Sequence, residues 1–134
     1  MASRYYSAVA QDTTVTGGIT SSSATVTVSG VTGYPSNFPF VVAIDYNTAL
    51  EELVSVTGIA GLTLSITRAY NGTTAVAHAA GAVVRHVITA QDMTDAQNHY
   101  SATTSVHGIT DTSTLATLTN LSDTLTNAFL TMGA

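Results

Sequence analysis

The sequence predicts a mainly β fold: a small antiparallel β-barrel or sandwich followed by a short C-terminal helical segment for oligomerisation. Three observations carry this. Apolar and hydroxyl side chains alternate in Ala24-Thr25-Val26-Thr27-Val28-Ser29 and again in Leu62-Thr63-Leu64-Ser65-Ile66-Thr67, the period-two pattern of half-buried strands. Glycine-rich turns punctuate the stretch between Thr13 and Ile88. Late in the chain the period changes, and Leu118, Leu121, Leu125, Ala128 and Met132 fall at helical 3-4 spacing.

After a 12-residue N-terminal arm, residues 13–89 read as the barrel or sandwich. Gly30 closes the first clear strand, and Tyr34-Pro35 gives an irregular lead into Phe38 to Ile44. The latter stretch is continuously apolar with Pro39 near its start, which suits a central strand buried on both faces. A hairpin follows, with arms Leu50 to Thr57 and Leu62 to Thr67 joined by Gly58-Ile59-Ala60-Gly61. Its second arm places Leu62, Leu64 and Ile66 on one face. Tyr70-Asn71-Gly72-Thr73 supplies residues that tolerate positive φ, and Ala82 to Ile88 reads as the last strand. Five or six strands result, and their edges must be covered or removed by closure.

Residues 90–112 read as a linker. Ala90 to Tyr100 is a short helix or irregular linker with Asp92 as N-cap, and Ser101 to Thr112 an extended connector ending at a cap on Asp111 or Ser113. Residues 113–134 read as the helical oligomerisation segment, its seam made of Leu118, Leu121, Leu125, Ala128 and Met132 with Leu115 and Phe129 just beside it, all seven expected at the oligomer interface. Thr, Asn and Ser fill most other positions there, so the helix needs packing to be stable. Spacing alone allows either a seam between copies or a helix folded back on its own barrel.

Composition narrows the function classes. Charged residues make up only 8% of the chain, against about 25% in ordinary soluble domains. There is no Lys, the three Arg are Arg4, Arg68 and Arg85, and the net charge is −5, so phosphate-neutralising groups for nucleic acid are missing. Cysteine is absent, which removes disulfides, thiolate nucleophiles and Cys-based zinc sites. No apolar run approaches the roughly 18 residues of a membrane span, and the first residues lack the apolar centre of a signal peptide. The expectation is a soluble chain with no membrane or nucleic-acid partner. The two glycosylation patterns, at Asn71-Gly72-Thr73 and Asn120-Leu121-Ser122, are read as chance matches.

The search for chemistry returns structural residues rather than a catalytic set. His78 and His86 are eight apart, as are His99 and His107, and none forms a His-x-x-x-His pair, so the histidines are expected to be structural and no metal or cofactor is expected. No Gly-x-Ser-x-Gly elbow is present. Glu51 and Glu52 are adjacent and on a strand point to opposite faces, so they make no acid–base dyad. Glu52 shares its face with Val54 and Val56, and Arg68 or Arg85 is expected to neutralise it across the sheet. The chain is therefore expected not to be an enzyme. A sugar platform made by Tyr34, Tyr46 and Tyr70 is a further reading, weakened by the scatter of these rings and the absence of Trp.

The run Arg68-Ala69-Tyr70-Asn71-Gly72-Thr73-Thr74-Ala75-Val76-Ala77-His78-Ala79-Ala80-Gly81-Ala82-Val83-Val84-Arg85-His86 resembles a recurrent module of tailed-phage virion proteins: head fibre, head decoration and minor tail proteins of actinobacteriophage type. In that module Arg-x-x-(Asp/Asn)-Gly-Thr precedes Ala-x-x-His-x-x-Gly-x-x-Val. A threonine-rich opening strand, Gly33-Tyr34-Pro35 with Phe38-Pro39-Phe40, Ile44-Asp45, Glu51-Glu52 and Val54-x-Val56-Thr57-Gly58 are similar as well. Val106-His107-Gly108 is similar to the link that joins such modules to a trimeric fibre shaft.

The resemblance implies a non-enzymatic virion structural protein: a capsid decoration or short head-fibre protein on the outer surface of the capsid, made in the host cytoplasm. The implied partners are its own copies, as a homotrimer, and the major capsid protein. The alternative it implies is a minor tail or baseplate adaptor of the same phage class. The chain stops soon after His107, so a long shaft and receptor-binding tip are not expected. His107, near a three-fold axis, would either bind an ion or hydrogen-bond to backbone as a neutral ring. Arg4, Tyr5 and Tyr6, ahead of the first strand, are the expected capsid-docking residues.

Overall fold

The computed structural model describes residues 3–102, 104–106, 109–111 and 118–133, with side chains for 3–102 and 125–133. The chain divides into two compact units, one up to Thr94 and one from Asp95.

The first unit is built on six antiparallel strands: β1 (Thr13–Thr14), β2 (Thr25–Thr27), β3 (Phe40–Ile44), β4 (Glu52–Ala60), β5 (Thr63–Thr67) and β6 (Val83–His86). Their order in the sheet is β1-β6-β3-β4-β5-β2. The two outer strands then meet: Val15 bridges Val28, Thr16 N–H donates to Thr27 O at 2.9 Å and Ser29 N–H donates to Thr14 O at 2.9 Å. The sheet thereby curls into a small barrel, the mainly β architecture that the alternating strands predict.

Its core follows from period two. Val26 and Val28, Phe40, Val42 and Ile44, Val54 and Val56, Leu64 and Ile66, and Ala82 and Val84 all point inward and are buried. The strand from Phe40 is central, flanked by β4 and β6, and every one of its residues is buried. Phe40 anchors one end of the core, with Tyr34 edge-on at 5.8 Å and His86 edge-on at 5.5 Å between ring centroids.

The hairpin differs from its predicted form in where it turns. β4 runs on through Gly58, Ile59 and Ala60, and the reversal is the two-residue step Gly61-Leu62, with Gly61 at φ +61°. Positive φ at the first central position is what a tight hairpin of this twist requires. The register shifts between Val56 and Gly58, so Gly58 marks a bulge rather than the turn. Leu62 consequently sits in the turn and is exposed, while Leu64 and Ile66 keep their predicted inward places. The last strand is Val83–His86, shorter than the predicted Ala82 to Ile88, and Ile88 is exposed.

The helix α1 (Ala90–Ser101) is regular, and its cap is not Asp92. Thr89 precedes the first turn, with its N–H and hydroxyl both donating to Asp92 Oδ2, at 2.7 and 2.8 Å. Asp92 is the acidic partner one turn in, the capping-box arrangement displaced by three residues from the predicted cap.

The second unit, taken by itself, holds the rest of α1, a two-stranded hairpin of β7 (Thr104–Val106) and β8 (Ile109–Asp111), and α2 (Leu118–Met132). The hairpin lies where an extended connector was predicted. His107, Ser113 and Leu115 lie outside the described residues.

Two glycines give a paired test. A Cβ on Gly33, at φ +74°, would stand 2.1 Å from the carbonyl oxygen of Val9, whereas one on Gly61 would meet nothing within 4 Å. Gly61→Ala should cost about 1 kcal/mol, the conformational penalty alone. Gly33→Ala should cost more and displace the chain at Val9, to be read by urea melts of the two variants.

Candidate functional site

The densest polar cluster sits at one end of the barrel core and is centred on Glu52. β4 begins at this residue, and the alternation that sends Val54 and Val56 inward sends Glu52 inward too, leaving it wholly buried. Glu51, its neighbour, is exposed and accepts the N–H of Asn47 at 2.6 Å, so the adjacent acids face opposite ways as their strand geometry predicts.

A buried carboxylate needs donors on both oxygens. Arg68 supplies a bidentate pair, Nε to Oε1 at 2.8 Å and Nη2 to Oε2 at 2.7 Å. The backbone N–H of Ala69 donates to Oε1 at 2.9 Å and that of Val76 to Oε2 at 3.1 Å. His78 Nε2 lies 3.0 Å from Oε2, and the opposite ring nitrogen lies 2.6 Å from Asp45 Oδ2. Arg68 spends its remaining donors on the carbonyls of Thr20, Ser23 and Val76. Of the two arginines predicted as partners for Glu52, the structure selects Arg68. Arg85 instead pairs with Asp12 and lies over the Tyr46 ring at 4.2 Å.

Local backbone places these groups. Ala69, at φ +53°, leads into a 3-10 turn, Tyr70–Gly72, whose middle residue Asn71 is also left-handed at φ +52°, and the Ala69 amide meets Glu52. His78 is held by a two-way backbone bridge to Ile19, with bonds of 2.9 and 3.0 Å. Burial works to raise the Glu52 pKa, but the Arg68, Ala69, His78 and Val76 hydrogen bonds outweigh it and hold the group at about 2.

The chemistry of this cluster is saturation. Four N–H donors, two from Arg68 and one each from Ala69 and Val76, occupy the Glu52 carboxylate, and Asp45 and Glu52 take opposite nitrogens of His78, so the three groups share no common point at which a cation could sit. Among the described residues no group of three or more His, Asp or Glu is placed to hold a metal, and no buried side-chain nitrogen or oxygen lacks a partner.

The other predicted residues are dispersed. Arg4 pairs with Asp92 and donates from Nε to the Tyr70 hydroxyl at 2.9 Å, Tyr6 donates to Asp92 at 2.6 Å, and Tyr5 N–H donates to Pro39 O at 3.0 Å. The arm residues expected to dock on a shell thus lie against their own chain, with Tyr5 and Tyr6 still 39% and 49% exposed. Tyr34, Tyr46 and Tyr70 are engaged by Phe40, Arg85 and Arg4 in turn, and no common platform forms. His86 donates from Nδ1 to Val41 O at 2.9 Å and accepts the Ser7 amide on Nε2 at 3.2 Å. On α2, Leu125, Ala128, Phe129 and Met132 are exposed, and Leu118 and Leu121 lie on the same helix with side chains outside the described set.

Sequence reasoning missed Asp92 as a hub. The Thr89-x-x-Asp92 spacing was the available signal for its capping role. Burial raises the Asp92 pKa, but bonds from Tyr6, Thr89 and Arg4 outweigh that and hold it at about 2.

Arg68→Ala should therefore destabilise the barrel by about 3–5 kcal/mol, the cost of leaving a buried charge unpaired, measured by chemical denaturation. The depressed values of Glu52 and Asp92 fix the sign of the acid response. Their stabilisation is complete above their ordinary values, near pH 4 to 4.5, and is lost as pH falls towards 2. Denaturation midpoints should drop across that window, and the drop should be smaller in Glu52→Gln.

Compared with protein-family models and with curated proteins, the chain matches none.

Proposed function

We propose that this chain is a non-enzymatic structural part of a tailed-phage particle, a capsid decoration or short head-fibre protein that assembles as a trimer through α2. The observation that carries the reading is the apolar stripe of that helix. Phe129 is 74% exposed, Met132 84% and Leu125 52%, and with Ala128 they fall within an arc about 100° wide. A 15-residue helix rich in Thr and Asn is marginal alone, so burial of this stripe against copies of itself supplies what its propensity does not.

Two further points support the reading. The polar cluster around Glu52 is spent on holding the barrel together. The Arg68 to His86 run, whose resemblance is to virion modules, supplies Arg68, Ala69, Val76 and His78 to that cluster, which gives the shared pattern a structural reason. The shell contact is proposed at the arm, through the partly exposed Tyr5 and Tyr6, with Arg4 holding the arm in place and the major capsid protein as partner.

Light scattering at micromolar concentration should give three times the chain mass, and Leu125→Asp with Phe129→Ser should reduce it to one while the barrel stays folded. A monomeric wild type would sink the trimer. Antibody labelling of virions should mark the head; signal on the tail would favour a tail or baseplate adaptor instead.

A further inference from the structure

The arm ahead of β1 makes no strand pairing of its own, yet it is tied down along its length. Tyr5 N–H bonds to Pro39 O, Ser7 bonds to His86 and to Gly33 O, and Gln11 N–H bonds to Thr32 O. Its first tie is the informative one. Asp92 uses its two oxygens for two different tasks: Oδ1 accepts from Arg4 and Tyr6 of the arm, while Oδ2 accepts from the N–H and hydroxyl of Thr89 at the start of α1. A carboxylate is rigid and planar, so the arm fixes the oxygen that caps the helix.

That cap matters because α1 buries little apolar surface. No residue of α1 is buried as a whole, Met93 is 59% exposed and Tyr100 94%, and a 12-residue helix with so little burial is marginal in water. We propose that the N-terminal arm is a strap whose docking sets the first turn of α1 through Asp92, so that arm and helix start open and close as one unit. With the arm lifted, Asp92 loses two hydrogen bonds, one of them from a guanidinium, and its side chain is free to turn to solvent. The coupling is reciprocal, since a free energy shared between two elements acts in both directions. A partner that binds Tyr5 and Tyr6 and peels the arm away would therefore loosen the segment through which the chain leaves the barrel. This inference does not depend on the phage assignment.

Amide hydrogen exchange on the full chain tests it. The reporting groups are the amides of Asp92 and Met93, both directed at Thr89 O. Arg4→Ala combined with Tyr6→Phe should accelerate their exchange about tenfold or more while the amides of Val42 and Val54 keep their protection. Thr89→Ala should in turn accelerate exchange at Tyr5 and Ser7. Arg85→Ala removes a different tie between arm and barrel, the exposed pair with Asp12, and should leave Asp92 and Met93 unchanged. The proposal fails if the double variant opens the arm without altering Asp92 and Met93, if core amides open to the same degree, or if Arg85→Ala has the same effect as the double variant.

Discussion

A charge placed inside a hydrophobic barrel is the constraint from which most of this structure follows. Strand alternation puts Glu52 on the same face as Val54 and Val56, and there it must be surrounded by donors or not be charged at all. Meeting that demand enlists Arg68 at the end of β5, the left-handed turn after it, and the segment that carries Val76 and His78. Arg68 then reaches the carbonyls of Thr20 and Ser23, in the connection between β1 and β2. One carboxylate thus organises segments that make few regular strand pairs.

The same economy governs the remaining charges. The chain has three cations, and each is matched to an acid: Arg68 to Glu52 inside, Arg4 to Asp92 at the start of α1, and Arg85 to Asp12 on the surface. Only the last pair is more than 40% exposed on both sides, where such a pair contributes little. Positive charge is therefore used for internal joinery, and solvation of the outside rests largely on threonine and serine hydroxyls such as those of Thr14, Thr27 and Thr63.

Much of the barrel was legible in advance because half-buried strands announce themselves residue by residue. The inward sets of Val26 and Val28 or Leu64 and Ile66 need only period two, and the opposite fates of Glu51 and Glu52 need only adjacency. What was not legible depends on contacts between distant residues. Gly58 read as a turn because glycine commonly makes one, yet the neighbouring strand absorbed it as a bulge and moved the reversal to Gly61. His78 carried no local sign that it would meet Glu52, since that contact requires the crossover before β6 to bridge back to Ile19. Asp92 looked like a cap because the helix was read without Thr89, and no pattern in the sequence links it to Arg4 and Tyr6 more than eighty residues earlier. The stripe on α2 was legible as periodicity, and which surface it meets is a question of assembly rather than of local spacing.

The bridge from Val15 to Val28 has a consequence for crowding. By joining the outer strands it removes the rows of free amides and carbonyls through which one sheet could extend into another. The sheet of the first unit therefore offers a neighbouring copy little backbone template along its outer strands, so barrels pressed side by side would meet through side chains.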